Sequence, residues 1–116
     1  MKERFGERIR RKRTEAKLGL RETATKVGIS PTYLSRTETA EEEKTPPAEE
    51  VIRKLADLLN DDFDELMTLA GRISEHVGKV ITADSTMPEF LRTVGEKKLS
   101  GAELMKLLES QKKGKR

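Results

Sequence analysis

The sequence predicts an all-α protein, five short helices followed by a short helical extension, and three observations point that way. The apolar residues recur at helical spacing throughout, with no alternating stretch long enough to make a strand. Starting and stopping residues fall between the apolar stripes, at Gly28, Ser30-Pro31, Pro46-Pro47 and Asp62. No run of strongly apolar residues exceeds two, which leaves no membrane span and no secretory signal. A chain of 116 residues suits one compact domain plus an extension.

Each element follows in order. Phe5, Ile9 and Ala16 share one face of a first helix, roughly residues 2–17. Leu20, Thr23, Ala24 and Val27 make a second, stopped by Gly28. Ser30-Pro31 reads as an N-cap followed by proline at the first helical position, and this third helix runs through Leu34 to about Thr39. A polar, Glu-rich loop spans 40–47. The fourth helix then offers Val51, Ile52, Leu55, Ala56, Leu58 and Leu59. Asp62 and Glu65 have the spacing of a capping box, opening a fifth helix with Phe63, Leu66, Met67 and Ala70 facing the core. The domain is expected to close at residue 71.

Beyond Gly71 the pattern loosens into an extension over 72–111. Thr86 with Glu89, and Ser100 with Glu103, repeat the capping-box spacing. They open short helices with stripes at Met87, Phe90, Leu91 and Val94 and at Leu104, Leu107 and Leu108. Helices of about ten residues do not persist alone in water, so these stripes need a surface to pack on. Residues 112–116 read as a basic, disordered tail.

The net charge of +3 hides a strong segregation. Residues 1–21 carry nine Lys/Arg against three Glu, and residues 40–65 carry ten acids against three bases. The last five residues add four positive charges. A charge run taken alone is ordinarily a solvated helix face; a polyanion-facing side needs a motif to support it. With no Cys and one His, disulfides, thiolate metal sites and cysteine nucleophiles are absent, and an intracellular home fits. Glu49-Glu50 and Asp61-Asp62-Asp64-Glu65 lack the spacing of a calcium loop, and His76 has no partner for a zinc or catalytic site. There is no Gly-rich phosphate loop. The expectation is therefore no enzyme, no cofactor and no metal.

The stretch Leu20–Thr39, LRETATKVGISPTYLSRTET, carries the chemistry. Two helices crossing through a tight turn need a small contact residue, a turn residue that tolerates positive φ, and apolar pins. Ala24, Gly28 and the trio Val27, Ile29 and Leu34 supply them. This is a helix-turn-helix, whose second helix can lie in the major groove of DNA. With KLGLRE, KVGISPTYLSRTE and EEVIRKLADLLNDDFDELM around it, the chain resembles the lambda-repressor-like (Cro-type, or xenobiotic-response-element) regulators over about residues 5–70.

The resemblance implies that Ser30–Thr39 is the recognition helix and that Pro31, Thr32, Tyr33, Ser35 and Arg36 face the bases. Hydroxyls at 32 and 35 can exchange hydrogen bonds with base edges, and Arg36 can bind guanine in bidentate fashion or clamp a phosphate. Arg21, Ser30, Thr39 and Lys44 are candidate phosphate contacts. Arg13 and Glu38 match the family's structural pair, which holds the reading head in place. Gly19 stands where Ser or Thr is usual, Thr23 and Thr37 where larger apolar residues are commoner, and Glu41–Glu43 in the loop that often approaches the DNA backbone.

The expected function is a sequence-specific transcriptional regulator, a repressor on double-stranded DNA with a pseudo-palindromic operator. It is expected to act as a homodimer formed by the extension, in the cytoplasm at the nucleoid and away from membranes. Two alternatives stand beside it. One is an antitoxin or accessory regulator that also binds a partner protein. The other, motivated by Glu41–Glu43, is an interaction adaptor that has lost DNA binding.

Overall fold

A computed structural model describes residues 3–40 and 46–114. Among the described residues there are eight helices and no strand. They fall into two compact units, one ending at Ser74 and the other beginning at Glu75.

The first unit holds α1 (Phe5–Glu15), α2 (Leu20–Val27), α3 (Pro31–Thr39), α4 (Glu49–Leu59) and α5 (Phe63–Leu69). One cluster joins all five: Phe5 and Ile9 from α1, Ala24 and Val27 from α2, Leu34 from α3, Ile52, Leu55, Ala56 and Leu59 from α4, Leu66 and Met67 from α5. The α4 residues recur at the intervals that align one helix face, so that helix spans the middle of the core. Burial of each large side chain is worth about 2 kcal/mol relative to exposure. Gly28, at φ 78°, turns the chain between α2 and α3 in a conformation that any side chain would strain. The Ile29 amide then returns to the Ala24 carbonyl at 2.9 Å, closing the turn.

Three expectations are corrected in this unit. The first helix is shorter than 2–17, because Lys17 turns to φ 59° and ends it; Ala16, at the helix end, is exposed. Leu18, packed against the core from the turn, takes the place expected of Ala16. The Asp62–Glu65 box is half formed. Asp62 accepts from the Glu65 amide at 2.9 Å, but the Glu65 carboxylate turns away to Arg8 and the Asp62 amide donates to Asp61. The unit also runs three residues past the expected boundary at 71. Arg72 donates to the Pro46 carbonyl at 3.0 Å, and Ser74 is buried.

The second unit holds α6 (Glu75–Ile81), α7 (Thr86–Glu96) and α8 (Gly101–Gly114). Three apolar residues in seven gave α6 too little of a stripe to stand out in the sequence. Ser100 and Glu103 form the full reciprocal box, with amide bonds of 2.9 and 3.1 Å. Thr86 does not act as a cap; it lies inside α7 and gives both its amide and its hydroxyl to the Asp84 carboxylate. The helix starts one residue earlier than the box predicted, with Ser85 at the cap position. The segment 112–116 is not disordered along its length, since α8 continues to Gly114; nothing in Ser110-Gln111-Lys112-Lys113 breaks a helix. The rest of that tail lies outside the described residues.

Candidate nucleic-acid interface

The candidate recognition helix is α3, and its sequence builds it from both ends. Ser30 caps it, its hydroxyl accepting from the Tyr33 amide at 3.0 Å, and Pro31 fills the first helical position where no amide is needed. Leu34 is fully buried and Thr37 nearly so, which anchors the inner face. The opposite face is open: Thr32, Tyr33 and Arg36 are exposed, while Pro31 and Ser35 are half-buried beside them. Their intervals of three and four place Thr32, Ser35 and Arg36 on one stripe. Neither Arg36 nor Tyr33 spends its side chain on a partner among the described residues. A guanidinium and three hydroxyls therefore project together from a rigid helix, which is the equipment for reading base edges.

Arg13 and Glu38 hold this helix against α1. The pair is bidentate, with Arg13 Nε to Glu38 Oε2 at 2.7 Å and Arg13 Nη2 to Glu38 Oε1 at 2.9 Å. The third nitrogen, Nη1, donates to the Leu18 carbonyl at 2.9 Å. The Glu38 side chain is only 4% exposed. The bond to Glu38 raises the Arg13 guanidinium above its ordinary value. At this depth each charge needs the other, because a survivor would be left buried and uncompensated. Both side chains are turned into the protein.

The expected phosphate contacts fare differently. Arg21 is exposed in the first turn of α2 and unpaired among the described residues. The Ser30 hydroxyl accepts as a cap, which leaves its hydrogen free to donate outward. Thr39 already spends its hydroxyl hydrogen on the Ser35 carbonyl at 3.0 Å. A phosphate oxygen has no hydrogen to give, so Thr39 can bind one only by breaking that bond. Lys44, like Glu41–Glu43, lies outside the described residues.

Gly6 belongs to this site and went unnoticed in the sequence. A side chain there would overlap the Thr37 carbonyl oxygen and lie 2.9 Å from that of Glu38. Glycine thus lets α1 close onto the end of α3, which brings Arg13 within reach of Glu38. The available signal was a lone glycine inside a helical pattern, which costs up to about 1 kcal/mol against alanine and so asks for a packing reason. Arg8 was missed too. It binds Asp61 through two bonds of 2.7 and 2.9 Å and Glu65 through one of 2.8 Å, tying α1 to the start of α5.

Among the described residues no group of three His, Cys, Asp or Glu side chains could hold a metal ion, and His76 is exposed. No helix among them is long and apolar enough to cross a membrane.

The helix-turn-helix domain family matches residues 4–69. The HTH-type transcriptional repressor RghR of Bacillus subtilis (strain 168) is 40% identical over 73 residues, which make up 63% of this chain and 53% of RghR. The chain thus spans about half the length of this curated relative. A chain of a solved SinR protein/SinI protein complex aligns over 93% of this chain and 94% of its own length, with a TM-score of 0.46 and 28% identity. With its Ser30-capped third helix, its left-handed Gly28 turn and a family match over more than half its length, this chain belongs to the helix-turn-helix domain family.

Proposed function

We propose that this chain is a sequence-specific DNA-binding transcriptional regulator that represses by occupying a pseudo-palindromic operator as a dimer. One observation carries the reading. The outer face of α3 presents Thr32, Tyr33, Ser35 and Arg36 from a helix locked by a buried ion pair, and neither Tyr33 nor Arg36 is spent on an internal partner among the described residues. A rigid element with unspent donors is what base readout needs. Arg21 and Ser30 would position the phosphates around it. The name of RghR, a transcriptional repressor, favours repression over activation.

The dimer is proposed from the second unit. Phe90, Leu91, Leu107 and Leu108 are all exposed, with Met87, Val94 and Leu104 half-buried beside them. Phe90, Leu104, Leu107 and Leu108 line a groove of about 420 Å³ between α7 and α8. Apolar side chains at this density call for a partner surface, and a second copy offers the same one in a self-complementary two-fold arrangement. Two reading helices could then enter successive major grooves about 34 Å apart.

Selection of duplexes from a random pool, with affinity measured across salt, tests the DNA reading. Enriched sites and a steep fall of log K with log[salt] are expected. If no sequence is enriched at about 50 mM salt, where screening is weak, the regulator reading fails.

A further inference from the structure

The arginines of α1 and its cap residue are not equivalent. Among the described residues Arg4 pairs with Glu7 at 3.4 Å, Arg8 with Asp61 at 2.7 Å, and Arg13 with Glu38 at 2.7 Å. Arg11 pairs with Glu3 at 2.8 Å and with Glu15 at 3.1 Å. Arg10 has neither an ion pair nor a hydrogen bond among them. It lines an open groove of about 550 Å³ between α1 and the C-terminal end of α3, together with Arg4, Glu7, Arg11 and Thr39. Both carboxylates in this groove are already countered, Glu7 by Arg4 and Glu38 by Arg13.

The position of this groove matters. Thr39 follows Thr32, Ser35 and Arg36 by seven, four and three residues, so it stands on the same stripe of α3. The groove is therefore where the base-facing stripe ends against α1. DNA contacted along that stripe would carry its sugar-phosphate backbone past this end. Thr39 can donate to a phosphate there only by giving up its bond to the Ser35 carbonyl. The C-terminal end of α3 also opposes an anion, with the equivalent of about half a negative charge. The full positive charge of Arg10 exceeds that and has no other use among the described residues.

We propose that Arg10 binds a backbone phosphate at the edge of the DNA site, extending the footprint beyond the recognition helix; the proposal rests on the DNA-binding reading above. Such a contact positions the protein and carries no sequence information. The bare alternative is a solvated arginine.

The test uses the full chain on a duplex selected by the wild-type protein, with Arg10→Ala as the variant. Arg10 is exposed, and an unchanged thermal unfolding midpoint checks that the variant folds. Affinity should fall roughly tenfold at about 100 mM salt, equally for every selected sequence, and the log K–log[salt] slope should shrink by about 0.9. Replacing single flanking phosphates by neutral methylphosphonates should reveal one whose loss weakens the wild type but not Arg10→Ala. An unchanged slope and affinity would overturn the proposal while leaving the regulator reading intact. So would a loss confined to one base position, which marks a base contact. If the wild type selects no duplex at all, the reading and the proposal fall together.

Discussion

Gly6 shows how much one residue decides. Its missing side chain is the space into which the Thr37 and Glu38 carbonyls fit, and both are backbone atoms that cannot rotate away. Gly6→Ala should therefore destabilise the first unit by about 3 kcal/mol, despite alanine's better helix propensity, as a denaturant titration would read. A stabilised variant would mean that α1 does not close on α3 in this way. Thr23 is the opposite case. It is fully buried and its hydroxyl finds no partner among the described residues. Thr23→Val removes an unsatisfied polar group at nearly constant shape and should stabilise by about 1 kcal/mol, visible as a raised unfolding midpoint. Arg36 is exposed and unpaired among the described residues, so its loss should leave stability unchanged. Arg36→Ala should instead relax sequence preference by roughly 1–3 kcal/mol at one base position. Site selection with the variant checks this, and an unchanged preference would demote Arg36 to phosphate or solvent.

At the scale of elements, ion pairs do the fastening that a small, aromatic-poor core leaves undone. Arg13–Glu38 ties α1 to α3, and Arg8 ties α1 to Asp61 and Glu65 at the start of α5. The Asp61 side chain is only 4% exposed. Burial pushes its carboxyl up, but the bonds from Arg8 and the Asp62 amide, with the charges of Arg8 and Lys12, outweigh that and hold it below the ordinary aspartate value. A carboxylate with a lowered folded pKa contributes its stability in full above the unfolded value of about 4, and loses it as pH falls through the lowered one. Asp61→Asn should thus cost about 3 kcal/mol at neutral pH and flatten the acid limb of stability below about pH 4. Unfolding midpoints of both proteins from pH 7 to pH 2 give the comparison; parallel acid limbs would show that Asp61 is not the group titrating. The Arg8–Asp61 pair was not visible in the sequence, since the two residues are separated by 53 positions and no periodicity connects them.

For the whole molecule, the question is what the second unit does with its apolar residues. None of its described residues is buried, while Phe90, Leu107 and Leu108 are half exposed or more. If these surfaces join two copies, Leu107→Glu should turn a dimer into a monomer by sedimentation. Operator affinity should fall roughly a hundredfold as the second half-site is lost. A wild-type chain that sediments as a monomer at micromolar concentration would remove the dimer from the proposal.

The sequence by itself determined the all-α class, the motif and most of the helix ends, because these depend on neighbours a few residues apart. Gly28, the Ser30-Pro31 start and the Ser100–Glu103 box are local devices, and each is where the spacing put it. The stripe of α3 was legible for the same reason. The Arg13–Glu38 pair was legible only through resemblance, since no local rule joins residues 25 positions apart. Tertiary structure alone decided how shared resources were allotted. Glu65 left its capping box for Arg8, Gly6 became a seat for two carbonyls, and Thr39 turned its hydroxyl inward to Ser35. Among the arginines of α1, only Arg10 was left with its charge unspent among the described residues. Periodicity states which face a residue occupies; which partner a charge or a hydroxyl takes depends on distances that exist only once the helices have packed.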